Sequence, residues 1–156
     1  MHHAKTATFT VPRKKTAEKV RKGEDAWRAK NSGKVSPANS PESVWRNRAN
    51  IVQGREAIVQ FLKEKWARAL EYRLIKDFWA FAGSRIAMRC AYGWRSDSNQ
   101  WLRPYGNENW EFNNNGLIPR RIASIHDLPI PENELLFHRA GNTRASDQRG
   151  LSELGL

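Results

Sequence analysis

The sequence predicts an α+β fold, with helical patterns first and antiparallel strands after them, so that a sheet folds over the helices. Three observations carry this. Between Arg55 and Leu70, apolar residues recur at helical spacing: Ile58, Phe61, Leu62, Trp66, Ala69 and Leu70. From Arg85 to Arg95 the chain alternates strictly, with Ile86, Met88, Cys90, Tyr92 and Trp94 on one side and Arg85, Ala87, Arg89, Ala91, Gly93 and Arg95 on the other. Trp101 to Ile130 then reads as two long strands joined by a turn at Asn113-Asn114-Asn115-Gly116.

In chain order, residues 1–15 read as an irregular basic arm. Thr16 is a plausible N-cap for a helix to about Lys30, whose stripe is Ala17, Val20 and Trp27 with Ala26 beside it. Gly23 weakens that helix by about 1 kcal/mol relative to alanine. Asn31-Ser32-Gly33 ends it, and residues 34–43, rich in Ser, Pro and Asn, read as a loop. Val44 to Arg48 is a short strand, and Gly54 precedes the helix from Arg55. Tyr72–Phe81 is the first long strand, turned by Ala82-Gly83-Ser84, and Ser96-Asp97-Ser98-Asn99 turns the chain again after Arg95. Pro131 to Glu134 suggests one helical turn, and the polar, glycine-containing end from Gly141 leans towards disorder.

A chain of 156 residues is one domain by its length and can bury a core. One cysteine, Cys90, excludes an internal disulfide framework. No apolar run reaches the roughly 20 residues of a membrane span, and no apolar signal core opens the sequence, so a cytoplasmic protein is expected. The net charge of +11 is uneven: residues 1–34 hold ten basic residues against three acids. Such an arm can hold nucleic acid or anionic lipid, or be simply a solvated end, and nucleic acid is the less favoured reading. No metal is expected, since His2, His3, His126 and His138 form no ligand-spaced pair. With no glycine-rich phosphate loop or dinucleotide fingerprint, no cofactor is expected either.

Several motifs resemble one known family. Trp45-Arg46-Asn47-Arg48, the run Tyr105-Gly106-Asn107-Glu108-Asn109-Trp110-Glu111-Phe112, and Arg120-Arg121-Ile122-Ala123-Ser124-Ile125 followed by Asp127-Leu128-Pro129-Ile130 resemble a subfamily catalogued as a domain of unknown function. That subfamily lies in the SnoaL-like branch of the nuclear transport factor 2-like superfamily, and Gly54-Arg55-Glu56-Ala57-Ile58 resembles a feature of the branch. The resemblance implies a cone-shaped, curved antiparallel sheet wrapped around N-terminal helices over residues 16–130, with residues 131–156 as an extension. It also implies a buried pocket, and pairing of two copies through the outer sheet face. Pro37 and Asn39 depart from the apolar residues expected in a short second helix, Gly93 replaces a frequent acid, and His126 replaces a usual Asn.

Strand parity sharpens the pocket. If Trp110 and Phe112 face the core, Glu108 shares their face, and burial would raise its pKa towards that of a general acid or base. The alternative is a structural ion pair between Glu108 and an inward arginine. His126 is the partner candidate, histidine being the side chain best suited to carry a proton at neutral pH. Trp45, Asn47, Arg48 and Trp110 are the candidate ligand-binding residues: aromatic walls, an amide and an arginine able to hold a carboxylate. Cys90 reads as core, and Lys63 and Lys65 as solvated helix positions. Three functions follow: a pocket for a small apolar ligand with cofactor-free isomerase, cyclase or hydratase chemistry on Glu108 and His126; a non-catalytic ligand-binding or dimerisation module; and, least favoured, nucleic-acid binding through the arm and the arginine-bearing sheet face.

Overall fold

The computed structural model describes residues 13–135 and 149–156. Most of the basic arm and His138 lie outside the described residues. Helix α1, Arg13–Arg28, begins within the stretch expected to be irregular. Thr16 is therefore no cap but a fully buried residue of the helix interior, one turn from Val20. The buried stripe also takes in Glu24, whose Oε1 accepts the Lys76 backbone N–H at 2.7 Å and whose Oε2 pairs with Arg21 at 3.0 Å. Polar residues on the inner face are why the apolar stripe looks thin in the sequence.

The expected loop at 34–43 is ordered. Asn31 caps helix α2, Ser32–Val35, by accepting the Lys34 N–H at 3.2 Å. A 3-10 turn follows at Ser36–Ala38, where Pro37 sits in the first turn and its missing N–H costs nothing. Strand β1 then runs Asn39–Asn47, longer than expected, and forms a hairpin with β2, Asn50–Gln53. Helix α3, Arg55–Arg68, buries Ile58, Leu62 and Trp66.

Strands β3, Leu70–Ala82, and β4, Arg85–Arg95, pair antiparallel. The next long strand is divided into β5, Trp101–Leu102, and β6, Tyr105–Glu111. The division does not shift the register: Trp101 pairs with Arg95, Tyr105 with Ala91, and between them the Tyr92 N–H donates to the Pro104 carbonyl at 3.0 Å. Alternation through Pro104 is thus preserved, and Glu108 shares the inner face with Trp110. Strands β7, Ile118–His126, and β8, Pro129–Ile130, complete the sheet.

The order is β2-β1-β7-β6-β4-β5-β8, with β3 also on β4. β1 and β7 pair in parallel, so the curved sheet is mixed and not wholly antiparallel. The register between β1 and β7 shifts between Asn39 and Val44, and near it Ile118 and Arg121 are both buried despite their odd spacing. The main core gathers Trp27, Trp45, Trp66, Tyr72, Tyr92 and Leu74 between helices and sheet. Residues 149–156 lie on the other side. Leu151 is buried against Ile75 and Ala91, its N–H donating to Asp77 at 2.8 Å, and Arg89 donates to the Leu156 carbonyl at 2.9 Å. No described helix is long and apolar enough to cross a membrane.

Candidate functional site

The inner face of the sheet brings three charged side chains, Glu108, Arg121 and Lys76, among the indoles. Glu108 on β6 is fully buried; its Oε1 accepts from Arg121 Nε at 2.6 Å and from the Trp110 indole N–H at 3.2 Å. Its Oε2 lies 2.9 Å from Lys76 Nζ, with both side chains wholly buried. Arg121 Nη1 donates to Asn47 Oδ1 at 3.0 Å. The Arg121 guanidinium also lies 4.9 Å from the Trp27 ring centre and 4.7 Å from that of Trp45. Its last nitrogen, Nη2, has no hydrogen-bond partner among the described residues, although Arg121 is only 2% exposed.

These contacts reverse the expected electrostatics of Glu108. Burial alone pushes its carboxyl up, but Arg121 and Lys76 outweigh burial and hold it down at about 2. The carboxylate is a fixed anion at neutral pH, poorly suited to donate or collect a proton. The ion-pair alternative is the one the geometry contains.

Lys65 departs furthest from expectation. The residue is half-buried on α3, and its amine end turns inward, 4.9 Å from the Trp27 ring centre and 5.2 Å from that of Tyr92. Burial, then the nearby cations Arg121 and Arg48, pull its pKa down to about 7. The Tyr72 hydroxyl and the Trp66 indole N–H are also buried, without a hydrogen-bond partner among the described residues. Burial raises the Cys90 thiol to about 12, which keeps it an inert core residue.

A cavity of about 230 Å³ opens between α1, α2 and the sheet. Trp27, Trp45, Trp110 and Phe112 form walls, Arg121 is part of the lining, and Lys19, Lys22 and Lys34 also border it. Asn39 orients one wall: its Oδ1 accepts the Trp45 indole N–H at 2.8 Å while its Nδ2 ties back to the Val35 carbonyl at 2.8 Å. The departure from an apolar residue at this position therefore has a structural use. A larger depression of about 470 Å³, bordered by Phe81, Arg85 and Arg120, is more open and holds none of the buried charged cluster.

Of the residues expected at the site, Trp45 and Trp110 line the cavity. Asn47 is buried but engaged by Arg121. Arg48 turns away, held by Asp127 in a two-pronged pair at 2.9 Å on each oxygen. His126 is exposed, alternating with Arg121, Ala123 and Ile125 of β7, which face inward. His126 and Glu108 are therefore no acid–base couple: the single-residue alternation of β7 places them on opposite faces. Sequence reading missed Lys76, although it shares strand parity with buried Tyr72 and Leu74, and it placed Lys65 in solvent.

Among the described residues, three arginines of the outer face are engaged. Arg85 pairs with Glu111 at 3.3 Å, Arg95 with Glu71 at 3.0 Å, and Arg89 holds the C-terminal segment. No group of three or more potential metal ligands occurs among the described residues.

Comparison with known proteins agrees with the fold. A family model described as "Protein of unknown function (DUF1348)" matches residues 8–138. No curated protein sequence matches the chain. Among solved structures, a nuclear transport factor 2-like protein of unknown function from Burkholderia pseudomallei superposes with a TM-score of 0.65 at 17% identity, over 71% of this chain and 90% of that one. A Shewanella denitrificans protein described as a SnoaL-like polyketide cyclase gives 0.59 at 14% identity, over 67% and 85%. A Mycobacterium tuberculosis epoxide hydrolase of the LEH-like kind gives 0.56 at 11% identity, over 71% and 82%. At these identities the likeness is one of fold.

Proposed function

This chain belongs to the family of unknown function DUF1348, and we propose that its cavity binds a small, largely apolar molecule, with Glu108 as a fixed structural anion and not a proton carrier. The observation that carries this is the division of labour on Arg121. Two of its nitrogens are committed to Glu108 and Asn47, and the third is buried and uncommitted in a residue that lines the cavity. A buried donor without a partner is costly, and a ligand that supplies an acceptor relieves that cost. Indole walls favour a flat molecule, and about 230 Å³ is below the usual range of ligand pockets, which limits the molecule to a small one. The cyclase and hydrolase among the fold's relatives support a role with small molecules.

A second reading, catalysis of the isomerase, cyclase or hydratase type, is favoured by Lys65. An amine with a pKa of about 7 is a competent general base, and its end lies 4.9 Å from the ring centre of Trp27, a wall of the cavity.

Native mass spectrometry after incubation with a metabolite extract tests the binding reading. The wild-type protein is expected to retain a small molecule that Ala38→Trp, an exposed change bordering the cavity, no longer retains. Equal retention, or none, by both proteins would sink it.

A further inference from the structure

The cavity has an unusual charge balance. Lys19, Lys22, Lys34 and Arg121 line it, and no Asp or Glu does. Inside, Arg121 and Lys76 face the single carboxylate of Glu108, which leaves one positive charge uncompensated in that cluster. At the edge, Lys19 sits 4.9 Å from the Phe112 ring centre, and burial with the repulsion of Lys22 and Lys15 lowers its pKa. Such a crowd of like charges is relieved by a bound anion.

The polar groups of the wall narrow the choice. The indole N–H of Trp45 is committed to Asn39 and that of Trp110 to Glu108. Arg121 Nη2 is the buried donor left over in a residue that lines the cavity, and with Nε and Nη1 already engaged it offers one edge, not a fork. From this we propose that the ligand is a planar aromatic monocarboxylate, its ring against the indoles and one carboxylate oxygen on Arg121 Nη2, drawn in past Lys19 and Lys22. A single negative charge neutralises the cluster, whereas a phosphate dianion overcompensates it and costs more to strip of water. The inference rests on the binding reading above and adds the charge of the ligand.

Titration calorimetry with 2-naphthoate and its neutral counterpart 2-naphthol separates the two. The wild-type protein is expected to bind 2-naphthoate about tenfold or more tightly than 2-naphthol, the usual scale for a hydrogen bond to a charged group. Added salt should weaken only the former, because the lysines near the mouth are screened. Replacing Arg121 risks unfolding, so the variant is Lys19→Gln with Lys22→Gln, expected to lose affinity several-fold for 2-naphthoate and little for 2-naphthol. Equal binding of both probes overturns the anion assignment and leaves the cavity as an apolar site. Failure of both probes to bind overturns the cavity reading with it.

Discussion

Arg121 Nε donates to Glu108 Oε1 at 2.6 Å from the neighbouring strand, thirteen residues further along the chain. Lys76, from β3, closes on the other carboxylate oxygen at 2.9 Å, so the pair ties three strands together inside the fold. Removing one member leaves the others charged and dry. Glu108→Gln is expected to lower stability by about 3–5 kcal/mol in urea denaturation, and Glu108→Gln combined with Arg121→Met to recover part of that loss. A Glu108→Gln protein as stable as the wild type would mean the cluster is wet and weakly coupled.

Lys65 supplies a pH dependence in a window well above that of Glu108, and of the same sense. Its folded pKa of about 7 lies below the ordinary 10.5, so between these values the unfolded chain holds a proton that the native protein has shed. Stability due to this group therefore rises with pH across that window. Subtracting the curve of Lys65→Met from that of the wild type should show the rise beginning near neutrality. A flat difference would place the amine in solvent.

Gly23 has a packing reason within α1. A Cβ there would lie 2.6 Å from the tip of the Trp110 indole. Gly23→Ala should therefore forgo the gain of about 1 kcal/mol that alanine brings to an ordinary helix interior, and destabilise the protein by displacing Trp110. Thermal melting of the variant, with its tryptophan fluorescence, reads both effects; a raised Tm would contradict the contact.

Pairing of two copies through the outer face is a proposal that must accommodate the C-terminal segment. Residues 149–156 already cover Ile75 and Ala91, while Trp79 stands 66% exposed beside Arg89. If the uncovered part is the interface, light scattering should report a dimer for the wild type and a monomer for Trp79→Glu. A wild-type monomer would contradict it.

Much of this was legible in the sequence where patterning is one-dimensional. The alternation of Arg85–Arg95 and the shared face of Glu108 and Trp110 follow from period two alone, and the structure holds that parity across Pro104. The failures have physical causes. Thr16 and Glu24 are polar, so their burial left no apolar signal, and Glu24 is held inside partly by the distant Lys76 backbone N–H. Period two alone puts Arg121 and His126 on opposite faces of β7, but apolar residues occupy both faces in the sequence, and only the packed sheet shows that Arg121, Ala123 and Ile125 are the inward set. Lys65 lies at the flank of an amphipathic helix, where a long stem can reach either solvent or core. The direction of the Glu108 pKa could not be read from burial alone, because its cations come from other strands.

Glu108 is a permanent anion that sets the charge of the interior, and a carboxyl 13C NMR titration of glutamate-labelled protein probes that state without any substitution. With its pKa at about 2 against the ordinary 4.5, its contribution to stability is fully present above the ordinary value and is lost as pH falls towards about 2. The account predicts a Glu108 resonance that stays ionised from neutrality down to about pH 4, below which the native signals begin to fade. A Glu108 resonance that titrates at about pH 5–7, as a raised catalytic carboxyl does, would contradict it.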